Sequence, residues 1–450
     1  MVVVVERSTN NHDPRPSHVN PTGNLSDWGG FWARRRGLSR SGAADVGEEL
    51  RRHSLFANRL ARQGAFGGNP HIEAAFRAVP RHRFLPGVTA KDAYRDQVIV
   101  TRVENGVAVS ASSQPSFMAV MLDQLGLEPG HRVLEIGTGT GYNAALMAEI
   151  VGEHGKVVSV DIDTEVAETA RACLEETGYR GVTVVCDDGA LGYAEEAPYD
   201  RIIVTVGAGD IPPALRKQLA PDGRLVVPLS LRGPQRSIAF QRVSDIFVGI
   251  SIAACDLSTS GRGEFAGRST RLAVGTDNRL WIWADGSRSI DPIGVERLVA
   301  GPFREIRTGR VATISEIFGG LYLWLALHAP RFVQFGSTVD AEFPWVLGLP
   351  GKLRLTAGLL EASALCILTT GRAKPATTFA DDRQLPLSVR AFGDGTLANT
   401  FVDLIAAWDV AGRPGTAGLC IVAYPLGADY GPSPGQFVID RRWSRFVLSW

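Results

Sequence analysis

The sequence predicts an α/β fold: a doubly wound, mostly parallel sheet ending in an antiparallel hairpin, followed by a C-terminal α+β domain. Three observations predict it. From residue 132 onward, short runs of Val, Ile and Leu recur, as strands buried on both faces require. Stretches of helical periodicity separate them, so strand and helix alternate as in βαβ units. Near residue 235 the pattern changes to alternating apolar and polar residues, the mark of a paired antiparallel strand.

Taken in order, residues 1–50 are rich in Asn, Pro, Ser, Arg and Gly and read as a disordered extension. Within it, "WGGFWARRRGL" is a small aromatic and basic island. Residues 47–60 suit a helix. In "NPHIEAAFRAVPRHRFLPG", Asn69 is placed to cap a helix that Pro70 opens, with Ile72, Ala75, Phe76 and Val79 on one face and Pro80 at its end. "HRVLEIGTG", "KVVSVDI", "VTVVCDD", "YDRIIVTVGA" and "GRLVVPLSL" read as strands. "YNAALMAEIVG", "TEVAETARACLEETG" and "PPALRKQLAPDG" read as the helices between them. "RSIAFQRV" and "IFVGISIAAC" form the expected hairpin. These elements make a core domain over 51–256. The Gly- and Ser-rich stretch 257–270 reads as a linker, and 271–450 as the α+β domain, where "RLWIWADGS" suits a strand and "ISEIFGGLYLWLALHAP" a helix.

Composition sets outer bounds. The chain has 450 residues, which suits two or three domains. Its 47 basic and 47 acidic residues cancel, so no whole-protein field favours nucleic acid or an anionic membrane. The 5 cysteines are scattered, without CxxC or zinc-ligand spacing, which predicts reduced thiols, no metal centre and a cytoplasmic protein. No apolar run is long enough to span a bilayer.

The chemistry centres on "VLEIGTGTGYNAAL", which puts Gly137, Gly139 and Gly141 between a strand and a helix. Glycines there let the backbone turn tightly and let a ligand approach where a Cβ would collide. Asp161 ends the next strand, where a ribose diol would lie, with Ile162 beside it. A dinucleotide is the competing ligand. Against it stand the G-x-G-x-G spacing and Glu135, an acid at the end of the first strand that a pyrophosphate would disfavour. An acidic turn, "CDDGALG", follows the third strand, with Asp188 and Gly189 placed to meet an adenine amino group. Together with Thr138, these residues read as an S-adenosylmethionine site on a Rossmann-like sheet.

Ahead of this loop, "SASSQPSFMAVML" passes abruptly from Ser, Gln and Pro to an apolar helix. Hydroxyls and free N–H groups at a helix N-terminus form an anion site. Plain capping by Ser112 or Ser113 is the simpler alternative.

"VPRHRFLPG", "DAYRDQVIV", "VLEIGTGTGYNAALMAE", "DDGALGYAEEAPYDRIIVTVGAGDIPPAL" and "QLAPDGRLVVPL", in that order over about residues 55–245, resemble the protein-L-isoaspartate O-methyltransferase family. The resemblance implies methyl transfer from S-adenosylmethionine to a peptide side-chain carboxylate. It also implies that Ser113 faces the acceptor, with Ser112 and Gln114 assisting. A carboxylate is already ionised at pH 7, so no general base is required. The ester can then close to a succinimide that opens to isoaspartate. His82 is a further residue able to line the site or to serve the structure. Two departures from the repair enzymes stand out: "PSFMA" replaces a His-containing run, and Asp187 replaces a Gly.

The chain continues well beyond the core that those repair enzymes consist of. "RAVPRHRFLPG", "SASSQPS", "GTGTGYNAAL" and "APYDRIIVTVGA" resemble the longer actinobacterial-type methyltransferases of the FxLD system, associated with lanthipeptides. That resemblance implies tailoring of an Asp in a ribosomally made, modified peptide, gripped by the C-terminal domain. Isoaspartate repair, a non-catalytic peptide-binding platform and a small-molecule carboxyl methyltransferase are the other readings.

Overall fold

The computed structural model describes residues 40–104, 107–255, 265, 270–275, 279–286, 289–338, 353–370 and 382–450. Two compact units divide these residues. One comprises 40–133 and 138–186, the other 134–137 and 187–450. The expected island at 28–38 and most of the linker at 257–270 lie outside the described residues.

The first unit opens with α1 (Arg40–Arg62), which begins before residue 47 and inside the stretch expected to be disordered. Helix α2 (Pro70–Ala78) starts as its sequence demands. The Asn69 side chain accepts from the N–H groups of His71 and Ile72, and Ile72, Ala75 and Phe76 are buried. A hairpin follows, β1 (Ile99–Glu104) paired antiparallel with β2 (Val107–Ser112). Pro115 then opens α3 (Pro115–Leu125), closed by Gly126 in the left-handed conformation. Strand β3 (Arg132–Ile136) leads through the glycine loop to α4 (Tyr142–Val151). Then come β4 (Lys156–Asp161), α5 (Thr164–Thr177) and β5 (Thr183–Cys186). The sheet order here is β3-β4-β5, and β4 and β5 run parallel with Asp161 opposite Cys186. That register brings the ends of both strands to one edge of the sheet, where ligands of open α/β sheets bind.

The second unit continues from the last residues of β3. It contains β6 (Tyr199–Val204), α6 (Pro213–Gln218), β7 (Leu219–Ser230), β8 (Gln235–Val243) and β9 (Ile246–Cys255). Strands β7, β8 and β9 are successively antiparallel, the expected terminal hairpin. Helix α6 is shorter than its sequence predicts: Leu219 already pairs with Tyr199, and Pro221 cannot continue a helix.

A separate seven-stranded antiparallel sheet follows, ordered β10-β11-β13-β14-β15-β16-β12. Its strands are β10 (Thr270–Val274), β11 (Leu280–Ala284), β12 (Phe303–Ala312), β13 (Phe332–Thr338), β14 (Leu353–Leu360), β15 (Ala364–Thr369) and β16 (Leu385–Gly393). The period of two along β15 decides its packing. Cys366 and Leu368 join one apolar cluster with α8 (Tyr322–His328) and α9 (Leu397–Val410). Leu365 and Ile367 join another with α7 (Pro292–Ala300). Within "ISEIFGGLYLWLALHAP" the helix carries a π turn over Ile317–Leu321.

The expectation of one domain over 271–450 needs correction. Strands β17 (Cys420–Pro425), β18 (Phe437–Asp440) and β19 (Ser444–Ser449) do not extend the seven-stranded sheet. They extend the first one, in the order β18-β19-β17-β9-β8-β7-β6-β3, with Val422 opposite Val248. The seven-stranded sheet is thus an insertion between two neighbouring strands, β9 and β17. Edge strand β9 is covered rather than left open.

Candidate active site

The glycine loop is built by close approach and positive φ. Gly137 leaves β3 at φ +100°, and a Cβ there would lie 2.6 Å from Thr205 Oγ1 and 2.9 Å from Val206 Cγ1. Thr205 Oγ1 is 2.7 Å from the Gly137 carbonyl oxygen and 3.0 Å from that of Ile136, which fixes the loop where the strand ends. A Cβ on Gly139, at φ +54°, would meet nothing closer than Ala111 O at 3.7 Å, so the space beside that carbon is open to a ligand. Gly141, at φ +81°, starts α4. Thr138 is buried and its hydroxyl accepts from Ser159 Oγ at 2.7 Å.

Asp161 terminates β4. Its Oδ2 accepts from Gly139 N at 3.0 Å and its Oδ1 from Asp163 N at 3.1 Å, which fixes the carboxylate between the glycine loop and the start of α5. Ile162 beside it is 42% exposed, an apolar surface at the edge of the sheet. Asp163 caps α5 and receives Arg102 Nη1 of β1 at 2.6 Å, which ties the β1–β2 hairpin to this edge. Asp188 caps the turn Gly189–Leu191 by accepting from Ala190 N at 2.9 Å. Gly189 is required by packing: a Cβ would lie 2.3 Å from Ile136 Cγ2. Asp187, the departure noted above, accepts from Asp188 N at 2.7 Å and so helps hold the turn.

This donor set fits S-adenosylmethionine. Asp161 offers acceptors for a diol, Ile162 an apolar face for a purine, and Gly139 an uncluttered backbone. Glu135 differs from its expected place at a ligand-facing strand end. It is fully buried and partnered inside the protein, as a buried carboxylate must be.

The polar run before α3 is organised by two residues that sequence reasoning missed. Arg81 is 0% exposed. Its Nη2 reaches Ser113 O at 2.9 Å and Ser112 Oγ at 3.3 Å, while Nη1 reaches Ala93 O and Arg95 O, both at 3.1 Å. Asp96 takes the helix start: its Oδ1 accepts from Ser116 N at 2.9 Å and its Oδ2 from Gln114 Nε2 at 3.2 Å. Neither serine caps α3. The N-cap residue is Gln114, without a side-chain cap bond, and its amide also reaches Ser116 Oγ at 2.9 Å. Gln114 is therefore committed to the protein. Ser112 is buried, whereas the Ser113 hydroxyl makes no hydrogen bond among the described residues. His82 is structural: Nδ1 lies 2.6 Å from Tyr94 Oη and Nε2 3.2 Å from Glu49 Oε2, and burial lowers its pKa. A signal for Arg81 and Asp96 existed, since both fall in "VPRHRFLPG" and "DAYRDQVIV".

Residues 51–254 match the sequence profile of the protein-L-isoaspartate(D-aspartate) O-methyltransferases. Protein-L-isoaspartate O-methyltransferase 2 of Archaeoglobus fulgidus is 48% identical over 158 residues, 35% of this chain and 70% of that protein. The Methanopyrus kandleri protein-L-isoaspartate O-methyltransferase is 40% identical over 196 residues, 43% of this chain and 84% of its own. The Thermotoga maritima enzyme is 42% identical over 175 residues, 39% of this chain, and the match spans only 55% of its length. A solved protein-L-isoaspartate O-methyltransferase is similar with a TM-score of 0.46 and 27% identity, over 82% of this chain and 96% of that one. On these sequence identities, the chain belongs to the protein-L-isoaspartate O-methyltransferase family of S-adenosylmethionine-dependent methyltransferases.

Proposed function

We propose that this methyltransferase esterifies the carboxylate of an isoaspartyl or aspartyl residue in a peptide or protein, with Ser113 oriented toward the acceptor. One observation carries the reading. The position of a Cβ on Gly139 lies 3.7 Å from Ala111 O, so the run Ala111–Ser112–Ser113 borders the glycine loop. Gly137, Gly139, Asp161, Ile162, Asp188 and Gly189 are the residues that would hold S-adenosylmethionine, with Thr138 and Gly141 shaping the loop. That group supplies an electrophilic methyl. The protein's own part is positioning. Ser113 donates to one acceptor oxygen and leaves the other to react. Ser112, bound to Arg81, supports the main chain behind it. The acceptor is ionised at neutral pH, so the absence of a base in this role is chemically sufficient. Methylation turns a poor leaving group into methoxide, and the neighbouring amide nitrogen can then close a succinimide.

A second reading, tailoring of an Asp in a ribosomally made modified peptide, is favoured by the insertion. The segment after β18 reaches the loop that follows β6. Trp443 N donates to Asp210 Oδ2 at 2.7 Å, and Ser444 Oγ lies 3.4 Å from Ile211 O. Arg441 is paired with Asp285 of the inserted part at 2.9 Å. Arg442 lies 4.8 Å over the Trp443 ring. These contacts fasten the inserted part to the returning strands and to the loop after β6. No helix among the described residues is long and apolar enough to cross a membrane, and we place the reaction in the cytoplasm.

The test uses labelled S-adenosylmethionine with two acceptors, a linear isoaspartyl peptide and a thioether-cyclised peptide containing Asp. Base-labile label on the linear peptide supports isoaspartyl methylation. Label on the cyclised peptide alone supports tailoring. Binding of S-adenosylmethionine without transfer to either would favour a peptide-binding platform.

A further inference from the structure

We propose that Arg81 is a positioning residue for the acceptor: a buried cation whose missing counter-charge is the acceptor carboxylate itself. The inference rests on the reading of Ser113 as the acceptor-facing residue and deepens it.

Arg81 opens the single turn Arg81–Phe84 that follows Pro80, and its side chain is wholly inside the protein. All five of its hydrogen-bond acceptors are neutral: the carbonyls of Ala93, Arg95, Gln97 and Ser113 and the Ser112 hydroxyl. It makes no ion pair among the described residues, and its Nε has no partner. Fully buried guanidinium groups are normally paired with an anion, because an uncompensated buried charge is costly. Burial lowers its pKa only to about 10, so it is charged at pH 7. Asp96 acts on it from beyond ion-pair distance and is itself occupied by Ser116 N and Gln114.

Two further contacts fix where that charge is felt. On one side are Ser112 and Ser113. On the other the guanidinium carbon lies 6.0 Å over the ring of Tyr142, the first residue of the helix that leaves the glycine loop. Arg81 therefore touches both the acceptor run and the start of the cofactor-side helix. A carboxylate held at Ser113 would complete the charge balance without any change in the protein. A neutral isostere would not. A purely structural Arg81, stitching residues 93–97 to 112–113, would make no such distinction.

The experiment compares the full chain with Arg81→Met and Arg81→Lys. It measures binding of an isoaspartyl peptide and of the same peptide with the neutral isoasparaginyl amide, S-adenosylmethionine affinity, and methyl transfer. Removal of the charge in Arg81→Met is expected to weaken the carboxylate peptide at least about tenfold, as a charge in a partly desolvated site should. Amide-peptide and S-adenosylmethionine affinities should stay within about twofold. Arg81→Lys should melt at lower temperature, since three donors cannot serve five acceptors, yet keep the preference for carboxylate over amide. If Arg81→Met does not fold, Arg81→Lys decides alone. Equal losses for both peptides and for S-adenosylmethionine would overturn the proposal. So would loss of the carboxylate preference in a folded Arg81→Lys. Wild-type protein that binds the carboxylate peptide but transfers no methyl would overturn the proposed activity while leaving the role of Arg81 measurable. Wild-type protein that binds neither peptide would overturn both.

Discussion

Ser113→Ala isolates the acceptor side of the site. The Ser113 hydroxyl has no hydrogen-bond partner among the described residues, so the folded protein loses nothing when it is removed. Folding stability should change by no more than about 0.5 kcal/mol. A hydrogen bond to a charged group contributes about 1.5–3 kcal/mol, so kcat/KM for a carboxylate acceptor should fall about 10- to 150-fold. The neighbouring Ser112→Ala is the control. Its hydroxyl is buried and lies 3.3 Å from Arg81 Nη2. Without it a buried guanidinium loses an acceptor, which should cost about 1–3 kcal/mol and several degrees of melting temperature. The assay is base-labile label transfer, with S-adenosylmethionine titrated by calorimetry and unfolding followed by circular dichroism. The reasoning fails if Ser113→Ala weakens S-adenosylmethionine as much as it slows transfer, which would assign the hydroxyl to the cofactor. It fails equally if Ser113→Ala melts as early as Ser112→Ala.

Three further outcomes are expected. Asp161→Ala removes the acceptor of Gly139 N and both candidate diol acceptors, and should weaken S-adenosylmethionine at least about tenfold by calorimetry; unchanged affinity would detach Asp161 from the cofactor. Gly137→Ala meets Thr205 Oγ1 at 2.6 Å with φ at +100° and should destabilise by about 1–3 kcal/mol, whereas an unshifted melting curve would mean that the loop yields freely. His53, stacked on Tyr94 and 2.8 Å from Phe76 O, has its pKa lowered from 6.5 to about 4, chiefly by burial. The unfolded chain therefore binds the extra proton first. The contribution is complete above about pH 6.5, and about 2 kcal/mol of it should be gone by pH 5, read by denaturant titration at both pH values. His53→Gln should flatten that slope, and an identical slope in the variant would locate the pH dependence elsewhere.

Much of this protein is legible in its sequence because the signals are local. Asn69 and Pro70 announce α2 within one turn of chain. The glycines at 137, 139 and 141 announce a strand-to-helix loop, since each adopts a positive φ that other residues resist. The acid at 161 follows from the length of one βαβ unit. The alternation at 235–255 gives the hairpin, since a period of two is a property of the strand itself.

What the sequence could not decide depends on partners distant in the chain. Glu135 reads as a ligand-facing acid until the sheet buries it. Serines read as helix caps until Asp96, eighteen residues before Gln114, takes that place. Arg81 reads as one more basic residue, yet it binds groups 12 to 32 positions away, and only folding turns it into a buried cation without a counter-ion. The largest departure has the same cause. Strands β17, β18 and β19 carry no mark of the sheet they join, because strand pairing is written in hydrogen bonds common to every residue. Sequence by itself determined the methyltransferase core and its glycine loop. Tertiary structure alone decided that the C-terminal strands return to the first sheet, because edge strand β9 needed a partner and the chain supplied one only after its long insertion.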